Sequence, residues 1–329
     1  MKFLIAGYGS IGRRHLNNLL ALGEKDVLLY RTHRSTLSVD EIKDIPVETT
    51  IEAALAHKPD ALVVANPTAL HLDVAIPAAE AGCSMLMEKP ISHQMDGIDR
   101  LQKALKSGDG RFVTGFQFRF NPGLRQVEHW LQEKKIGTVV SAHVRWGEYL
   151  PGWHPWEDYR NSYSSRADLG GGVVNTLSHP LDYLHWLLGS VESINATTSN
   201  HGLQLEVEDT ADIELRFASG VLGNVHLDYM QQPGEHTLKI VGSEGTILWD
   251  NATTVTKVYT ASNGAWEEVP PPTGFGRNVM FMDEMRHFIA VAKGEASPLC
   301  TLEDGITALQ MAQAVYKAAQ DGCLVKFNR

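Results

Sequence analysis

The sequence has 329 residues, 43% hydrophobic and 21% charged, with a net charge of −10 at pH 7. This length suits two globular domains of about 100–200 residues each, and the acidic balance argues against general nucleic-acid binding. Without an apolar run of the ~18 residues that a transmembrane helix needs, we expect no membrane partner. Three scattered cysteines and a strand-like start, MKFLIAG, favour a cytoplasmic protein without disulfides or a metal site.

The first third of the chain alternates short apolar runs with helical patterns. The runs are typical of strands buried on both faces, and the helices between them end at glycines such as Gly23 and Gly82. The predicted strands are KFLIAG, DVLLYR, DALVVANP, SMLME and RFVTGFQF, and the helix TIEAALAH is predicted to be capped by Thr50. This alternation predicts an α/β domain with a doubly wound parallel sheet over residues 1–119.

The pattern changes after a helix near residues 122–135. Long runs of alternating hydrophobicity follow, separated by Ser-Gly, Glu-Gly and Asn-Gly turns. They predict a second domain of the α+β class over residues 120–329, with a large open, mainly antiparallel sheet. Two helices, near 277–293 and 302–321, close the chain.

The second sheet is also the predicted surface of self-association. Val221, Val225 and Leu227 fall on long alternating strands, and we expect the face that carries them to be uncovered. An uncovered apolar face of this size is typical of a protein–protein contact. We therefore expect a homodimer or a homotetramer formed through this sheet.

A glycine-rich turn follows the first strand. In GYGSIG, Gly7, Gly9 and Gly12 have the GxGxxG spacing of a dinucleotide-binding turn. The helix that begins there offers free N–H groups to phosphates, so Ser10 and Ile11 join the glycines as predicted cofactor contacts. The sequence therefore predicts a Rossmann domain, although a turn and cap without a ligand is the alternative.

The end of the second strand bears on the choice of cofactor. An NAD site usually has an acidic residue about 20 residues after the glycines, but Val27–Val39 contains no Asp or Glu. The segment YRTHRS instead offers Arg31, Thr32, His33 and Arg34. Clustered cations suit the 2′-phosphate of NADP, which we expect to be preferred, with NAD also possible. A solvated basic turn is the alternative.

Two further strand ends should line the same crevice, because the carboxyl ends of parallel strands meet at one edge of the sheet. The first leads into Asn66, Pro67 and His71, and the second ends in Glu88 and Lys89. We expect all five to contact the cofactor, and the Lys89 amine to donate a hydrogen bond to a substrate oxygen. The alternatives are a capped strand-to-helix turn and a surface lysine.

These segments together match a known family. GYGSIGRRH, NPTALH, EKP, GFQFRFNP, GGGVVNTLSHPLDYLHWLLG and VGSEGTILWD stand in an order that resembles the Gfo/Idh/MocA oxidoreductases, the group of glucose–fructose oxidoreductase and inositol dehydrogenase. The resemblance runs almost end to end. It implies a Rossmann domain, a substrate domain with an open sheet, a nicotinamide cofactor and a sugar-like or polyol substrate. Lys89 matches the lysine that these enzymes use in the active site.

The segment GGGVVNTLSHPLDYLHW completes the predicted catalytic group. Asn175 and His179 are four residues apart and would share one face of a helix. The resemblance implies that His179 acts as general acid/base, a role suited to imidazole. Asn175 stands where the family has a carboxylate, and an amide can orient a hydroxyl but cannot stabilise imidazolium by charge. The alternatives are a core histidine at position 179 and proton transfer by Lys89.

Aromatic side chains are concentrated in residues 145–166, a segment that suits the apolar faces of a sugar ring. The residues predicted to bind substrate there are Trp153, His154 and Tyr159. GFQFRFNP adds Gln117 as a cofactor contact and Arg119 as a substrate contact. A core-covering or oligomer-interface segment, and a structural role for Arg119 as a link between domains, are the alternatives.

The combined prediction is an NADP-preferring dehydrogenase or reductase that acts on a CH–OH group of a pyranose, a polyol or a sugar derivative. The cofactor carries the hydride, while Lys89, His179 and Asn175 act on the reacting oxygen and its proton. Two alternatives remain open: an NAD-dependent glycosidase of the same superfamily, and a non-catalytic, nucleotide-sensing regulator.

Overall fold

The computed structural model describes residues 1–32 and 42–327. The chain forms two compact units, which are described separately. The first comprises residues 1–117, 168–170 and 277–309, and the second comprises residues 118–167, 171–276 and 310–329.

The first unit contains a parallel sheet in the order β3-β2-β1-β4-β5-β6. Its strands are β1 (Phe3–Ala6), β2 (Val27–Tyr30), β3 (Val47–Glu48), β4 (Ala61–Val64), β5 (Ser84–Glu88) and β6 (Phe112–Gly115). Every residue of β1, β4, β5 and β6 is buried, as expected for a sheet covered on both faces. The predicted doubly wound sheet is confirmed.

Helices cover both faces of this sheet. They are α1 (Ser10–Ala21), α2 (Ile51–Ala56), α3 (His71–Glu80), α4 (Ile98–Ser107), α8 (Arg277–Lys293) and the first part of α9 (Leu302–Asp321). Alternate residues of β1 divide between two cores: Leu4 packs with α3, α4 and the start of α9, and Ile5 packs with α1 and α8. The predicted cap of α2 is confirmed, since the Thr50 hydroxyl accepts the Ala53 N–H at 3.2 Å.

The division of the chain differs from the contiguous domains expected at 1–119 and 120–329. The chain first passes from the first unit to the second after Gln117, but residues 277–309 belong to the first unit again. Met285 and Phe288 of α8 are fully buried against the core that contains Ile5. The helices near 277–293 and 302–321 are present as predicted. Their amphipathic pattern shows that each buries a face, but it does not identify the sheet that the face covers.

The second unit contains a mixed, mainly antiparallel sheet in the order β14-β13-β12-β11-β7-β10-β9-β8-β15, in which β7 and β10 run parallel. Its strands are β7 (Val139–Gly147), β8 (Val191–Ser199), β9 (Thr210–Phe217), β10 (Leu222–Asp228), β11 (Glu235–Gly242), β12 (Gly245–Asp250), β13 (Thr256–Thr260), β14 (Ala265–Val269) and β15 (Val325–Lys326). Three helices are α5 (Pro122–Gln132), α6 (Val173–Thr176) and α7 (His179–Leu188). The predicted α+β class is confirmed.

The second sheet does not expose the apolar residues from which self-association was predicted. Val221, Val225 and Leu227 are buried, with exposed fractions of 6%, 0% and 0%. The outward positions of β9 instead carry Asp212 and Glu214, because alternation along the strand sends the apolar side chains to the covered face. The argument from an uncovered apolar face was therefore wrong, and the oligomeric state stays a prediction.

Across residues 1–32 and 42–327, the helices are all too short or too polar to cross a lipid bilayer.

Candidate active site

The glycine-rich turn between β1 and α1 leaves no room for side chains at two positions. Gly7 has a φ of +96°, and a Cβ added there would lie 2.7 Å from the Ala65 carbonyl oxygen. A Cβ on Gly12 would lie 2.1 Å from the Gly7 oxygen. At Gly9, by contrast, none of the described atoms lies within 4 Å of an added Cβ. Open space above Gly9, at the N-terminus of α1, is what a pyrophosphate requires.

Ser10 and Ile11 form the first turn of α1, directly after Gly9. Their N–H groups belong to the four that an α-helix leaves without intrahelical partners at its start. The structure thus brings together the five residues that the sequence predicts around the pyrophosphate.

Arg31 follows β2 and is buried, with 6% of its surface exposed. Its guanidinium carbon lies 5.7 Å from the centroid of the Tyr8 ring, and its Nε has no partner among the described residues. Arg31 is therefore not part of a solvated turn. Thr32 is exposed, and the predicted contacts His33 and Arg34 lie outside the described residues.

The turn after β4 is held by its own side chains. The Asn66 Nδ2 donates to the Leu70 carbonyl at 2.9 Å, and the His71 Nε2 lies 3.0 Å from the Asn66 carbonyl. Burial lowers the pKa of His71 to about 4, because desolvation disfavours imidazolium. A neutral His71 thus fixes the turn at Asn66 and Pro67. The Asn66 Oδ1 has no partner within the described part of the chain.

The end of β5 points its carboxylate inward. Glu88 is 7% exposed, and its Oε1 lies 2.6 Å from the Nε2 of His15 on α1. Lys89, the next residue, is half-buried. Glu88 is thus engaged by His15, a residue that the sequence analysis did not single out although it lies within GYGSIGRRH.

These residues of the first unit fit a nicotinamide dinucleotide. The glycine turn supplies the backbone of such a site, and the buried polar atoms without a partner among the described residues include Arg31 Nε, Asn66 Oδ1 and Gln117 Oε1. Buried polar atoms of native proteins are normally hydrogen-bonded. These three atoms lie in segments that follow strands of one sheet, where a dinucleotide binds in a doubly wound fold, so the residues fit such a ligand.

In the second unit, the predicted helix through Asn175 and His179 is broken. Asn175 lies on α6, which ends at Thr176, and His179 is the first residue of α7. The reason is Pro180: it lacks an N–H, and its ring clashes with the carbonyl four residues earlier, at Thr176. The expectation that Asn175 and His179 share one face of a continuous helix was therefore wrong.

Glu208 holds the start of α6. Its carbonyl accepts the Val173 N–H at 3.0 Å, and its Oε1 accepts the Val174 N–H at 3.1 Å and the Tyr316 hydroxyl at 3.0 Å. A Cβ on Gly172 would lie 2.4 Å from the same oxygen. Burial raises the pKa of Glu208. This glutamate, which the sequence analysis missed, fixes the turn that carries Asn175.

His179 lies among aromatic rings and is only 2% exposed. Its ring centroid is 4.8 Å from that of Phe118 and 5.6 Å from that of Trp146. The Trp146 ring stacks on the His236 ring with 4.1 Å between their centroids. Burial lowers the pKa of His236 to about 3. His236, which the sequence analysis also missed, is a neutral ring in this cluster, and its Nε2 lies 3.2 Å from the Tyr183 hydroxyl.

The other predicted substrate residues have mixed surroundings. Arg119 is buried in an ion pair with Asp182 of α7. Trp153 is half-buried, and its ring lies 5.9 Å from that of Tyr229. In the same aromatic segment, the ring centroids of His154 and Trp156 are 5.0 Å apart. Tyr159 is also half-buried, and the guanidinium of Arg160 lies 4.6 Å from its ring.

Exposure divides the aromatic segment. Trp146 is 6% exposed and belongs to the core, as the core-covering alternative holds. Tyr149, Trp156 and Tyr163 are 37%, 63% and 36% exposed. The segment therefore combines a core element with rings that reach the surface.

Comparisons with known proteins agree with this architecture. The model of the family described as "Oxidoreductase family, NAD-binding Rossmann fold" matches residues 1–116, and that of the GFO/IDH/MocA C-terminal domain matches residues 124–248. The chain is 26% identical over 346 residues to myo-inositol 2-dehydrogenase of Thermotoga maritima, covering 100% of the chain and 99% of the relative. It is 27% identical over 273 residues to 1,5-anhydro-D-fructose reductase of Ensifer adhaerens, covering 80% and 78%.

Solved structures show the same fold. Levoglucosan dehydrogenase in complex with NADH and levoglucosan superposes with a TM-score of 0.87 at 19% identity, covering 100% of both chains. The two family models together match more than half of the chain, residues 1–116 and 124–248. The chain therefore belongs to the GFO/IDH/MocA family of oxidoreductases, and its first unit is an NAD-binding Rossmann domain.

Proposed function

We propose that the protein is a dehydrogenase or reductase that transfers a hydride between a nicotinamide cofactor and a CH–OH carbon of a sugar-like substrate. The observation that carries this proposal is the cradle at Gly7, Gly9 and Gly12, with open space above Gly9. Family membership supports the reaction class. The names of the relatives, which act on an inositol and on an anhydro sugar, support the substrate class.

The bound cofactor would supply the hydride acceptor or donor. Lys89 follows β5 directly, and its amine hydrogen-bonds the reacting oxygen and stabilises negative charge there. His179 accepts or returns the hydroxyl proton. Asn175 orients the substrate through its amide. Transfer of the proton by the Lys89 amine instead of His179 is the competing assignment.

The ring contacts of the substrate come from the aromatic segment. Trp153 and Tyr159 offer apolar ring faces to sugar C–H groups, and His154 offers a ring nitrogen to a hydroxyl. The Trp153 Nε1 is buried without a partner among the residues described, which supports a hydrogen bond to a ligand. For Arg119, its engagement with Asp182 favours the structural role over substrate binding.

NADP is the proposed preferred cofactor, with NAD as the second. The buried Arg31 with its unpartnered Nε supports a contact to a 2′-phosphate. Levoglucosan dehydrogenase, a structural relative, is known in complexes with NADH, so both cofactors belong in the test. The proposal also includes a cytoplasmic location and a homodimer or homotetramer.

The test is turnover by the purified protein with NAD⁺ and NADP⁺ in separate assays. The panel for oxidation contains myo-inositol, levoglucosan and several pyranoses. Reduction of 1,5-anhydro-D-fructose is followed in the opposite direction with NADH and NADPH. Appearance or loss of reduced nicotinamide absorbance with one class of substrate, abolished by Lys89→Ala, is the expected result. Glycoside cleavage without added cofactor would point to the glycosidase. Nucleotide binding without turnover of any substrate would point to the regulator.

A further inference from the structure

Three titratable side chains meet inside the first unit, away from solvent. They are His15 of α1, Glu88 of β5 and Glu284 of α8, and we refer to them as the His15–Glu88–Glu284 cluster. One ring nitrogen and one oxygen of each carboxyl lie within 4.8 Å of one another. The exposed fractions are 0%, 7% and 0%. The roles assigned above to Gly7–Gly12 and Lys89 make no use of His15 or Glu284.

Only part of this cluster has conventional hydrogen bonds. The His15 Nε2 and the Glu88 Oε1 are 2.6 Å apart. Both oxygens of Glu284 are buried and have no partner among the described residues. A fully buried carboxylate without donors is costly, because removal of an isolated charge from water is the largest desolvation penalty that a side chain can incur.

The surrounding charges decide which carboxyl carries a proton. Two further groups act electrostatically on Glu88 of the cluster: Arg14 of α1 and His71 of α3. Arg277, at the start of α8, acts on Arg14. Glu88 has a hydrogen-bond partner in His15 and a favourable charge in Arg14. Burial, followed by the charge of Glu88, raises the pKa of Glu284 well above its ordinary value.

We propose that Glu284 is a neutral carboxylic acid that donates its proton to the Glu88 carboxylate, and that the two contacts to Glu88 fix the strand end from which Lys89 projects. His15 contacts Glu88 from α1, and Glu284 approaches it from α8. Glu284 is thus a positioning residue, because it acts on the substrate only through Glu88 and Lys89. The kinetic part of this inference rests on the proposed function, whereas the protonation state does not.

The first experiment measures the protonation state directly by infrared difference spectroscopy at neutral pH. The spectrum of Glu284→Gln is subtracted from that of the wild type, and Glu295→Gln, the same change at an exposed position, is the control. We expect a protonated carboxylic C=O band that only the wild-type-minus-Glu284→Gln spectrum contains. Its absence would mean that Glu284 is ionised and would overturn the proposal.

The second experiment compares the pH dependence of unfolding. A carboxyl whose pKa is raised in the folded state contributes stability below its unfolded pKa and loses it as pH rises through the folded value. Between the ordinary carboxyl pKa of the unfolded chain, about 4.3, and the raised folded value, the unfolding equilibrium constant of the wild type should rise relative to that of Glu284→Gln by about tenfold per pH unit, and the ratio should level off above the folded value. A constant difference between wild type and Glu284→Gln up to alkaline pH would contradict a neutral acid.

The third experiment tests positioning. Glu284→Gln keeps the shape of the side chain and a hydrogen-bond donor, so its kcat should stay within about threefold of wild type. Glu284→Ala should lower kcat by about tenfold or more, which is the effect of losing one hydrogen bond to a charged group. The Kd of Glu284→Ala for the reduced cofactor should be unchanged. Equal kcat in both variants would overturn the positioning role.

The zinc content of the purified proteins is a further measurement. Stoichiometric zinc in the wild type that a chelator removes, and that Glu284→Gln lacks, would mean that the cluster binds a cation instead. If no substrate is turned over, the infrared and unfolding results still decide the protonation state, so this inference and the proposed function can fail independently.

Discussion

Arg119 and Asp182 form a two-pronged ion pair within the second unit. The Arg119 Nη2 donates to the Asp182 Oδ1 at 2.7 Å, and the Nε donates to the Oδ2 at 3.0 Å. The side chains are 7% and 1% exposed, and the guanidinium carbon lies 5.3 Å from the Trp186 ring centroid. Since Asp182 lies three residues after His179 on α7, this pair helps to set the position of the helix that His179 begins.

Loss of one partner of this pair should be severe. Asp182→Asn leaves the guanidinium buried without its counter-charge, and we expect a loss of about 3–5 kcal/mol in the free energy of unfolding. Equilibrium urea denaturation measures it. The double variant Arg119→Met/Asp182→Leu, which removes both charges, is the control and should be less destabilised than Asp182→Asn. An unchanged urea midpoint in Asp182→Asn would refute the structural role.

The contact between Glu208 and Tyr316 offers a graded test of α6. Tyr316→Phe removes one hydrogen bond to the carboxyl and should cost about 0.5–1.5 kcal/mol of unfolding free energy. Glu208→Ala leaves both the Val174 N–H and the Tyr316 hydroxyl without an acceptor, and each should cost about 1–3 kcal/mol. Chemical denaturation measures the loss of unfolding free energy in both variants, which should be larger in Glu208→Ala than in Tyr316→Phe. The reverse order would show that Glu208 does not hold α6.

Lys89→Ala should separate catalysis from cofactor binding. We expect kcat to fall by about 10²–10³-fold, as for removal of one donor to a developing oxyanion. The Kd for the reduced cofactor should change little, because the glycine turn at Gly7–Gly12 holds the pyrophosphate. Steady-state kinetics and fluorescence titration measure the two quantities. A parallel loss of cofactor affinity would assign Lys89 to binding instead.

His179→Ala should lower kcat by about 10²–10⁴-fold if this imidazole carries the proton. It should also remove a near-neutral limb from the pH–rate profile. The decisive comparison is with Lys89→Arg, measured over the same pH range. If the limb persists in His179→Ala and moves in Lys89→Arg, the amine is the acid/base.

Arg31→Ala should weaken NADPH binding and leave NADH nearly unchanged. A charge-assisted contact to the 2′-phosphate is worth about 1.5–3 kcal/mol, or roughly ten- to a hundredfold in Kd. Because Arg31 also packs beside Tyr8, Arg31→Lys, which keeps the charge and most of the length, is the matched control. Equal weakening of both cofactors by Arg31→Ala would show that this residue does not distinguish the phosphate.

Local rules predicted the elements better than they predicted their assembly. Five of the six strands of the first sheet, the cap at Thr50 and the terminal helices follow from apolar runs, capping chemistry and helical periodicity, whereas the two-residue strand β3 was not predicted. The break before His179 was also predictable, since Pro180 breaks a helix that would have included Thr176. The four-residue spacing of Asn175 and His179 suits one helix, but it does not outweigh this proline.

Other features could not be predicted from local sequence because they depend on long-range packing. Glu284 lies in an ordinary amphipathic helix, and only the fold brings it to Glu88, almost 200 residues earlier. Glu208 likewise serves a helix 34 residues before it. The burial of Val225 and Leu227 depends on which face of the sheet the helices cover, and alternation along a strand does not specify that face.

The return of α8 to the first unit has a consequence for the protein while it is being made. The ribosome delivers β1–β6 first, but Met285 and Phe288, which complete the core around Ile5, emerge only after β7–β14 of the second unit. At about 5–20 residues per second, the face of the nascent sheet that α1 and α8 share lacks α8 for on the order of ten seconds. We therefore expect chaperones to bind the N-terminal domain during synthesis. A fragment that stops after Gln117 should be recovered mainly as aggregate.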